Sequence, residues 1–177
     1  VPEPITYYGL SKLKGEKHVK RLHNVECYNL RSAKVYGYSP AMRIDSVINR
    51  FMFEAHYFNK VNKVSDGEQS RAFIHIDKLA HVINQILLTD VPAGTYNVAE
   101  HNLNINQVLE QVMRIYPDID VIQLNQDAKL EHVNTALPCK LFDHISLPER
   151  SLEDEIREMN ITFSFWGLSS GIVRCAG

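Results

Sequence analysis

The sequence lacks the features that mark several large classes of protein. Its 19 Lys and Arg do not outnumber its 21 Asp and Glu, and the net charge of -2 offers no positive field for nucleic acid. No apolar run approaches the roughly 20 residues that a membrane-spanning helix needs. The first residues, VPEPITYYG, show neither the charged nor the apolar region of a secretory signal. We therefore expect no nucleic-acid partner and no membrane partner.

Cysteine is scarce, and histidine is not arranged for metal binding. Cys27, Cys139 and Cys175 are odd in number and far apart, so they form no CxxC pair and no metal-ligand spacing. Reduced thiols of this kind predict a cytoplasmic protein. The eight histidines include no HExxH motif, and the sequence predicts no metal site.

Helical and strand patterns alternate along the 177 residues, which is the length of one domain. The predicted elements are a helix over 8–23, a strand over 25–30, a loop over 36–40, a helix with apolar residues from 44 to 55, a polar turn over 65–70, a strand over 72–76, a helix capped by Asp77, a strand over 95–99, a helix begun by a capping box of Asn104 and Gln107, a strand over 121–124, and a helix begun by Ser151 with Asp154. Such alternation predicts an α/β fold. Residues 161–177 carry no clear pattern.

The pair Tyr8 and Lys12 is the sharpest chemical feature. In a helix, residues at i and i+4 lie on one face. A nearby ammonium favours the phenolate form of a tyrosine, and such a tyrosine can serve as a general acid/base near neutral pH. Tyr7 is the weaker candidate because its i+4 partner is Ser11.

Five segments, in order, resemble the extended short-chain dehydrogenase/reductases of the NAD-dependent epimerase/dehydratase family, which act on nucleotide-diphosphate sugars. The segments are PITYYGLSKLKGEKHV, NLRSAKVYGYSP, SDGEQSRAFIHIDKLA, GTYNVAEHNLNINQVLEQV and SLEDEIREM. The first resembles the family's active-site helix, with Pro, Tyr-Gly, Ser-Lys and a following Glu in the family order. The resemblance extends from about Pro2 to Met159.

The resemblance implies an α/β protein in two parts. Residues 1–36 would supply the last helix and strand of a Rossmann-type parallel sheet domain, and residues 37–160 mainly a small α/β substrate-binding domain. Residues 161–177 would form a tail of uncertain structure. The family's glycine fingerprint for the dinucleotide is not found among the eight glycines, so we expect only a C-terminal remnant of the cofactor-binding domain.

The resemblance also implies roles for residues near the cofactor, NAD or NADP. Tyr8 would be the catalytic acid/base, and Lys12 would hold the nicotinamide ribose. Ser32 and Ala33 would lie where the family's backbone passes the nicotinamide. The acidic or basic residue that selects between NAD and NADP is not in this sequence, so both cofactors stay open.

Three further positions would bind the nucleotide-diphosphate sugar. Arg71 would grip the pyrophosphate, for which a planar guanidinium is suited; a solvated loop arginine is the alternative. Asn97 would lie near the substrate pocket, or would serve as a strand-end amide bonded to backbone. Lys34 replaces the family's Asn that contacts a substrate phosphate. His75, in an apolar strand, is expected to be structural.

Two interpretations remain open. The chain is part of a sugar-nucleotide epimerase, dehydratase or reductase, or it is a truncated, non-catalytic protein that keeps the substrate domain as a binding or assembly module. Tyr8, Lys12 and Arg71 favour the enzyme. Lys34, and Lys78 in place of the family's Asp, favour the module. Because relatives often pair their active-site helices, we also expect a homo-oligomer.

Overall fold

Seven strands and five α-helices alternate along the computed structural model, which describes residues 4, 6–124 and 135–169. The helices are α1 (Tyr7–Val19), α2 (Val47–Phe58), α3 (Ile76–Leu88), α4 (Ile105–Ile115) and α5 (Leu152–Ser169). The strands are β1 (Tyr28–Ser32), β2 (Lys34–Tyr36), β3 (Lys60–Val64), β4 (Ser70–His75), β5 (Gly94–Val98), β6 (His101–Asn104) and β7 (Asp120–Leu124). A short 3₁₀ helix spans Lys140–Asp143. The predicted α/β class is confirmed.

The strands form three small sheets in which parallel pairing dominates. β1 pairs with β5, and β3 pairs with β7, both in parallel. β4 is central in the third sheet, parallel to β2 and antiparallel to β6. Only Ala33 separates β1 from β2, so the chain passes there from one sheet to the next. Arg31 lies opposite Asn97 in the register, near the carboxyl end of both strands.

Two apolar clusters hold these layers together. The larger lies among α2, α4 and α5, where Phe51, Val108 and Ile156 are fully buried. The smaller joins α3 to β4 and β5 through Val82, Ile74 and other residues. Each such side chain contributes about 1.5–3 kcal/mol when removed from water. Helix packing therefore fixes the strands beneath it.

Helix α1 differs from the other helices because none of its 13 residues is buried. The Thr6 hydroxyl caps it by accepting the Gly9 backbone N–H at 3.1 Å, and Lys17 and His18 lie in the last turn, where positive charge is favourable. The prediction of a helix to residue 23 was wrong: α1 ends at Val19. Asn24 then adopts a left-handed φ of 61°, and β1 starts only at Tyr28 instead of residue 25.

Other boundaries also need correction. Ile44 lies outside α2, is exposed, and precedes the observed start of that helix at Val47. Asp77 does not cap α3. The His75 side chain does so by accepting the Asp77 backbone N–H at 3.3 Å, which agrees with a structural role for His75. Asp77 lies two positions after the cap residue and instead adds negative charge to the first turn.

Several local predictions are confirmed. The capping box of α4 is complete: Asn104 Oδ1 accepts the Gln107 N–H at 2.8 Å, and Gln107 Oε1 accepts the Asn104 N–H at 2.9 Å. Ser151 Oγ accepts the Asp154 N–H at 3.1 Å at the start of α5. The predicted strand over 121–124 lies within β7. The uncertain tail begins as the continuation of α5, and residues 170–177 lie outside the described residues.

Strands β2, β3 and β6 have no counterpart of their own among the predicted elements. Each strand is short, and β3 and β6 are rich in polar residues, so these strands are recognised only by their pairing with β4 or β7.

Among the described residues, no helix has both the length and the apolar character that a bilayer crossing requires. Cys27 is half-buried and Cys139 is buried, both as free thiols, and Cys175 falls outside the described part of the chain.

Candidate active site

A cavity of about 1010 Å³ opens where β1 passes into β2. It brings together most of the residues that the sequence singles out. The predicted site residues that line it are Tyr8, Ser32, Ala33, Lys34, Arg71 and Asn97. Lys12 does not line it, although it lies one helical turn from Tyr8. Elements far apart in sequence, α1, β2, β4 and β5, therefore meet at one site.

Tyr8 lies at the cavity with its side chain largely in solvent, since the residue is 72% exposed. The Lys12 Nζ lies 5.3 Å from the centroid of the Tyr8 ring, as the i,i+4 spacing predicts. Within the same turn, Ser11 Oγ donates a hydrogen bond to the Tyr8 carbonyl at 2.8 Å. The phenol and the ammonium thus stand together, and both are accessible to a ligand.

Helix α1 is joined to β1 by a two-pronged ion pair. Arg31 Nε donates to Glu16 Oε1, and Arg31 Nη2 donates to Glu16 Oε2, each at 2.7 Å. The hydrogen bond to Arg31 is the main cause that holds the pKa of Glu16 below its usual range. Arg31 also lines the cavity. The sequence prediction assigned no role to either residue.

The loop after β2 forms another wall of the cavity and is held by a buried amide. The Gly37 N–H donates to Asn49 Oδ1 at 3.1 Å, and Asn49 Nδ2 donates to the Arg43 carbonyl at 3.1 Å. Gly37 has a φ of +115°, and a Cβ there would lie 2.7 Å from His75 Nε2. A larger residue would therefore clash while adopting a disfavoured backbone conformation.

Positive charge predominates in the cavity lining. Its cationic side chains are Arg31, Lys34, Arg43 and Arg71, and its one acidic side chain among the described residues is Asp45. Arg43 binds Asp45 through Nε at 3.0 Å, and this hydrogen bond lowers the pKa of the Asp45 carboxyl. Arg71 is a half-buried residue of β4, not of a loop. The cavity is suited to an anionic ligand.

A buried polar cluster surrounds the Lys78 ammonium and includes Tyr36, which also lines the cavity. The Lys78 ammonium, 2% exposed, contacts Glu155 at 2.8 Å, also binds Glu100, and donates to the Arg150 carbonyl at 2.8 Å. Burial by itself would lower the pKa of Lys78, but the hydrogen bonds to both carboxylates outweigh burial and raise it. Tyr36 Oη donates to Glu155, and burial raises the pKa of that phenol far above its usual range.

Among the described residues, this cluster contains the group of side chains whose spacing is most similar to that of a metal site. Ligand atoms of Glu100, His101 and Glu155 lie within 4.8 Å of one another. The Lys78 ammonium, however, contacts both carboxylates. An internal cation already supplies the positive charge that a metal would bring, so we propose no metal site here.

Comparison with solved structures defines the class of fold. The chain matches UDP-glucuronic acid 4-epimerase from Bacillus cereus in complex with UDP-glucuronic acid and NAD (TM-score 0.77, 24% identity, 94% of this chain and 55% of that one). It matches dTDP-glucose 4,6-dehydratase from Bacillus anthracis in complex with NAD (TM-score 0.79, 16% identity, 95% of this chain and 55% of that one). It also matches ADP-L-glycero-D-manno-heptose-6-epimerase from Helicobacter pylori (TM-score 0.76, 21% identity, 92% of this chain and 52% of that one). The fold is the Rossmann-like α/β fold of these proteins, and the chain spans about half of their length.

The family follows from the sequence. The model of the NAD dependent epimerase/dehydratase family matches residues 1–99, which is more than half of the chain. This protein belongs to that family. The matched region contains every residue that the sequence analysis assigned to the site.

Proposed function

We propose that this chain is part of an NAD(P)-dependent enzyme that acts on nucleotide-diphosphate sugars as an epimerase, dehydratase or reductase. The observation that carries the proposal is the cavity in which Tyr8 meets the strand residues Ser32, Arg71 and Asn97. Family membership supports the proposal, as do the sugar-nucleotide names of the similar structures.

In this proposal Tyr8 is the acid/base. Its phenol oxygen exchanges a proton with a sugar hydroxyl or carbonyl, and the Lys12 ammonium lies 5.3 Å from the centroid of the same ring. NAD(P), when bound, supplies or accepts the hydride. Lys12 would contact the nicotinamide ribose, and the backbone at Ser32 and Ala33 would border the nicotinamide. The exposure of Tyr8 and Lys12 leaves both free to take these contacts.

The substrate would enter as an anion. The planar guanidinium of Arg71 can form two parallel hydrogen bonds to the pyrophosphate, with Asn97 nearer to the sugar. Lys34 would meet a phosphate as a point charge. Among the similar proteins, the epimerase and the dehydratase from the two Bacillus species are named for UDP-linked and dTDP-linked sugars. The proposal therefore leaves the base and the reaction subtype open.

Replacing Tyr8 tests the proposal directly. In the enzyme that contains this chain, Tyr8→Phe removes the proton-transfer group, and we expect turnover to fall roughly 10²–10⁴-fold with substrate binding little changed. Tyr7→Phe is the matched control, because Tyr7 is adjacent, more exposed and outside the cavity lining. Near-normal turnover of Tyr8→Phe would exclude Tyr8 as the acid/base.

The 177-residue chain by itself should bind NAD(P) only weakly. Most affinity in such folds comes from a glycine-rich turn and a helix N-terminus around the pyrophosphate, and this sequence has no such fingerprint. Two or three hydrogen bonds of ~0.5–1.5 kcal/mol each do not offset the ~4–15 kcal/mol cost of immobilising a ligand. We expect no saturable binding below millimolar concentration in calorimetry. A micromolar dissociation constant would show a cofactor site elsewhere in the chain.

A non-catalytic assembly module is the second candidate. Lys34 favours it, because this lysine lines the cavity at a position where the family resemblance implies an Asn. Lys78, the other departure, does not line the cavity and is matched by two carboxylates, so it does not argue against catalysis. Both candidates are consistent with a cytoplasmic protein with reduced thiols. Turnover by the enzyme that contains this chain would exclude the module.

Self-association is part of the proposal for either candidate. The exposed apolar side chains of Tyr7, Leu10, Leu22 and Val25 lie on or just after α1, and β1 pairs on one side only among the described strands. Such surfaces favour association. Sedimentation should show a dimer or larger species at micromolar concentration, and a clean monomer would contradict this expectation.

A further inference from the structure

The attachment of helix α1 to the rest of the protein determines whether Tyr8 stays at the cavity. Tyr8 lies at the cavity, yet no residue of α1 is fully buried in the part of the chain that the structure describes. Glu16 supplies the ion pair between α1 and the rest of the described chain, through Arg31 on β1. The hydrogen bond from Ser11 to the Tyr8 carbonyl and the contact of Lys12 with the Tyr8 ring both stay within the helix.

Spacing connects this ion pair to the candidate site. Lys12 is four residues before Glu16, and Tyr8 is four residues before Lys12, so the three follow one ridge of the helix. The distance along the helix axis from Tyr8 to Glu16 is about 12 Å at 1.5 Å per residue. Fixing Glu16 in a rigid helix therefore fixes the position of Tyr8.

We propose that the Glu16–Arg31 ion pair is the positioning element that places Tyr8 and Lys12 at the cavity. The inference rests on the proposed function of Tyr8. Two parallel N–H to O bonds at 2.7 Å define the angle between helix and strand as well as their separation, which a single contact would not do. The pair is also sheltered, since the side chains of Glu16 and Arg31 are 17% and 36% exposed.

The pairing has a second consequence for the cavity. Arg31 lines it and, without Glu16, would present a free guanidinium to an anionic ligand. With Glu16 bound, the charge of Arg31 is neutralised, and Arg71 and Lys34 are left to meet the phosphates. The proposal therefore makes Arg31 a positioning residue and not a substrate contact.

Hydrogen exchange tests the positioning without any need for turnover. A free 13-residue helix is marginal in water, so release of α1 should speed exchange of its amides roughly tenfold. We expect this in Glu16→Gln and in Arg31→Met, with recovery in the charge-reversed double variant Glu16→Arg with Arg31→Glu. Lys14→Gln is the matched control, since it removes a charge from the same helix before the last turn, and it should leave exchange unchanged. Unchanged exchange in Glu16→Gln and Arg31→Met would overturn the proposal.

Kinetics on the enzyme that contains this chain separates positioning from binding. Glu16→Gln should lower kcat roughly 10–10²-fold, the usual effect of a small misplacement, with KM little changed because Arg71 and Asn97 lie on strands. A higher KM at unchanged kcat would overturn the proposal and make Arg31 a substrate contact. If Tyr8→Phe retains turnover, the proposed function fails, and the exchange experiment still decides whether the ion pair holds α1.

Discussion

The same three residue types occur in two groups with opposite surroundings. The helix group is Tyr8, Lys12 and Glu16, and the buried group is Tyr36, Lys78 and Glu155. In the helix group all three residues lie on one helix, and the tyrosine and the lysine face solvent. In the buried group each residue comes from a different element, and hydrogen bonds or ion pairs connect them. Exposure leaves Tyr8 and Lys12 accessible to a ligand, whereas burial and pairing make the second group part of the fold.

The physical reason is the cost of removing a charge from water. A buried ammonium or carboxylate must be paired and hydrogen-bonded, and the partners then have no capacity left for a ligand. An exposed pair loses little when a partner is exchanged for a substrate group. Substitutions in the buried group should therefore change stability, and substitutions around the cavity should change binding and turnover.

The largest stability effect is expected at Lys78. Lys78→Met leaves the carboxylates of Glu100 and Glu155 without their cation, so we expect a loss of about 3–5 kcal/mol in the free energy of unfolding, measured with urea. The double variant Lys78→Met with Glu155→Leu should recover part of this loss, because one buried charge is removed. A loss under about 1 kcal/mol for the single variant would mean that the cluster is more hydrated than its burial indicates.

Arg71 should show the opposite behaviour, with an effect on binding and little on stability. Arg71→Ala should weaken nucleotide-sugar binding by about 1.5–3 kcal/mol, the usual worth of a hydrogen bond to a charged group. The free nucleoside has no pyrophosphate and is the control ligand. Calorimetry that gives equal losses for both ligands would exclude a phosphate contact.

Two helix caps offer a matched comparison of smaller size. Asn104→Ala removes half of the capping box of α4, a helix packed in the core, and should cost about 1 kcal/mol of global stability. Thr6→Ala removes the cap of α1 and should leave the global unfolding midpoint of the 177-residue chain almost unchanged, because no residue of α1 is part of the buried core. Equal losses in the two variants would show that α1 unfolds together with the core.

The smallest effect concerns pH. Burial would raise the pKa of Glu100, but hydrogen bonds to His101 and then Lys78 outweigh it and lower that pKa. A carboxyl whose folded pKa is depressed stabilises the fold above its unfolded pKa of about 4.3, and this contribution disappears as pH falls through the folded pKa. As the pH is lowered from about 6 to about 3, the free energy of unfolding should fall less in Lys78→Met than in the parent protein. An identical slope would exclude Lys78 as a cause.

Local spacing explains the predictions that succeeded. The helix that carries Tyr8 and Lys12, the capping box at Asn104 and the class of fold each depend on residues within a few positions of one another or on repeated patterns. Helix boundaries were less well predicted, because a left-handed residue such as Asn24 or a cap such as His75 leaves only a weak mark in the sequence. The roles assigned to Tyr8, Lys12 and Arg71 remain predictions for the experiments above.

By itself the sequence determined the α/β class, the family resemblance and the spacing of Tyr8 and Lys12. Only the tertiary structure decided that Glu16 binds Arg31 and that Lys78 is enclosed by Glu100 and Glu155. Helical periodicity is a property of neighbouring residues and can be predicted from a short window. An ion pair between distant segments depends on which helix and strand faces come into contact when apolar surface is buried, and no local sequence pattern predicts that contact.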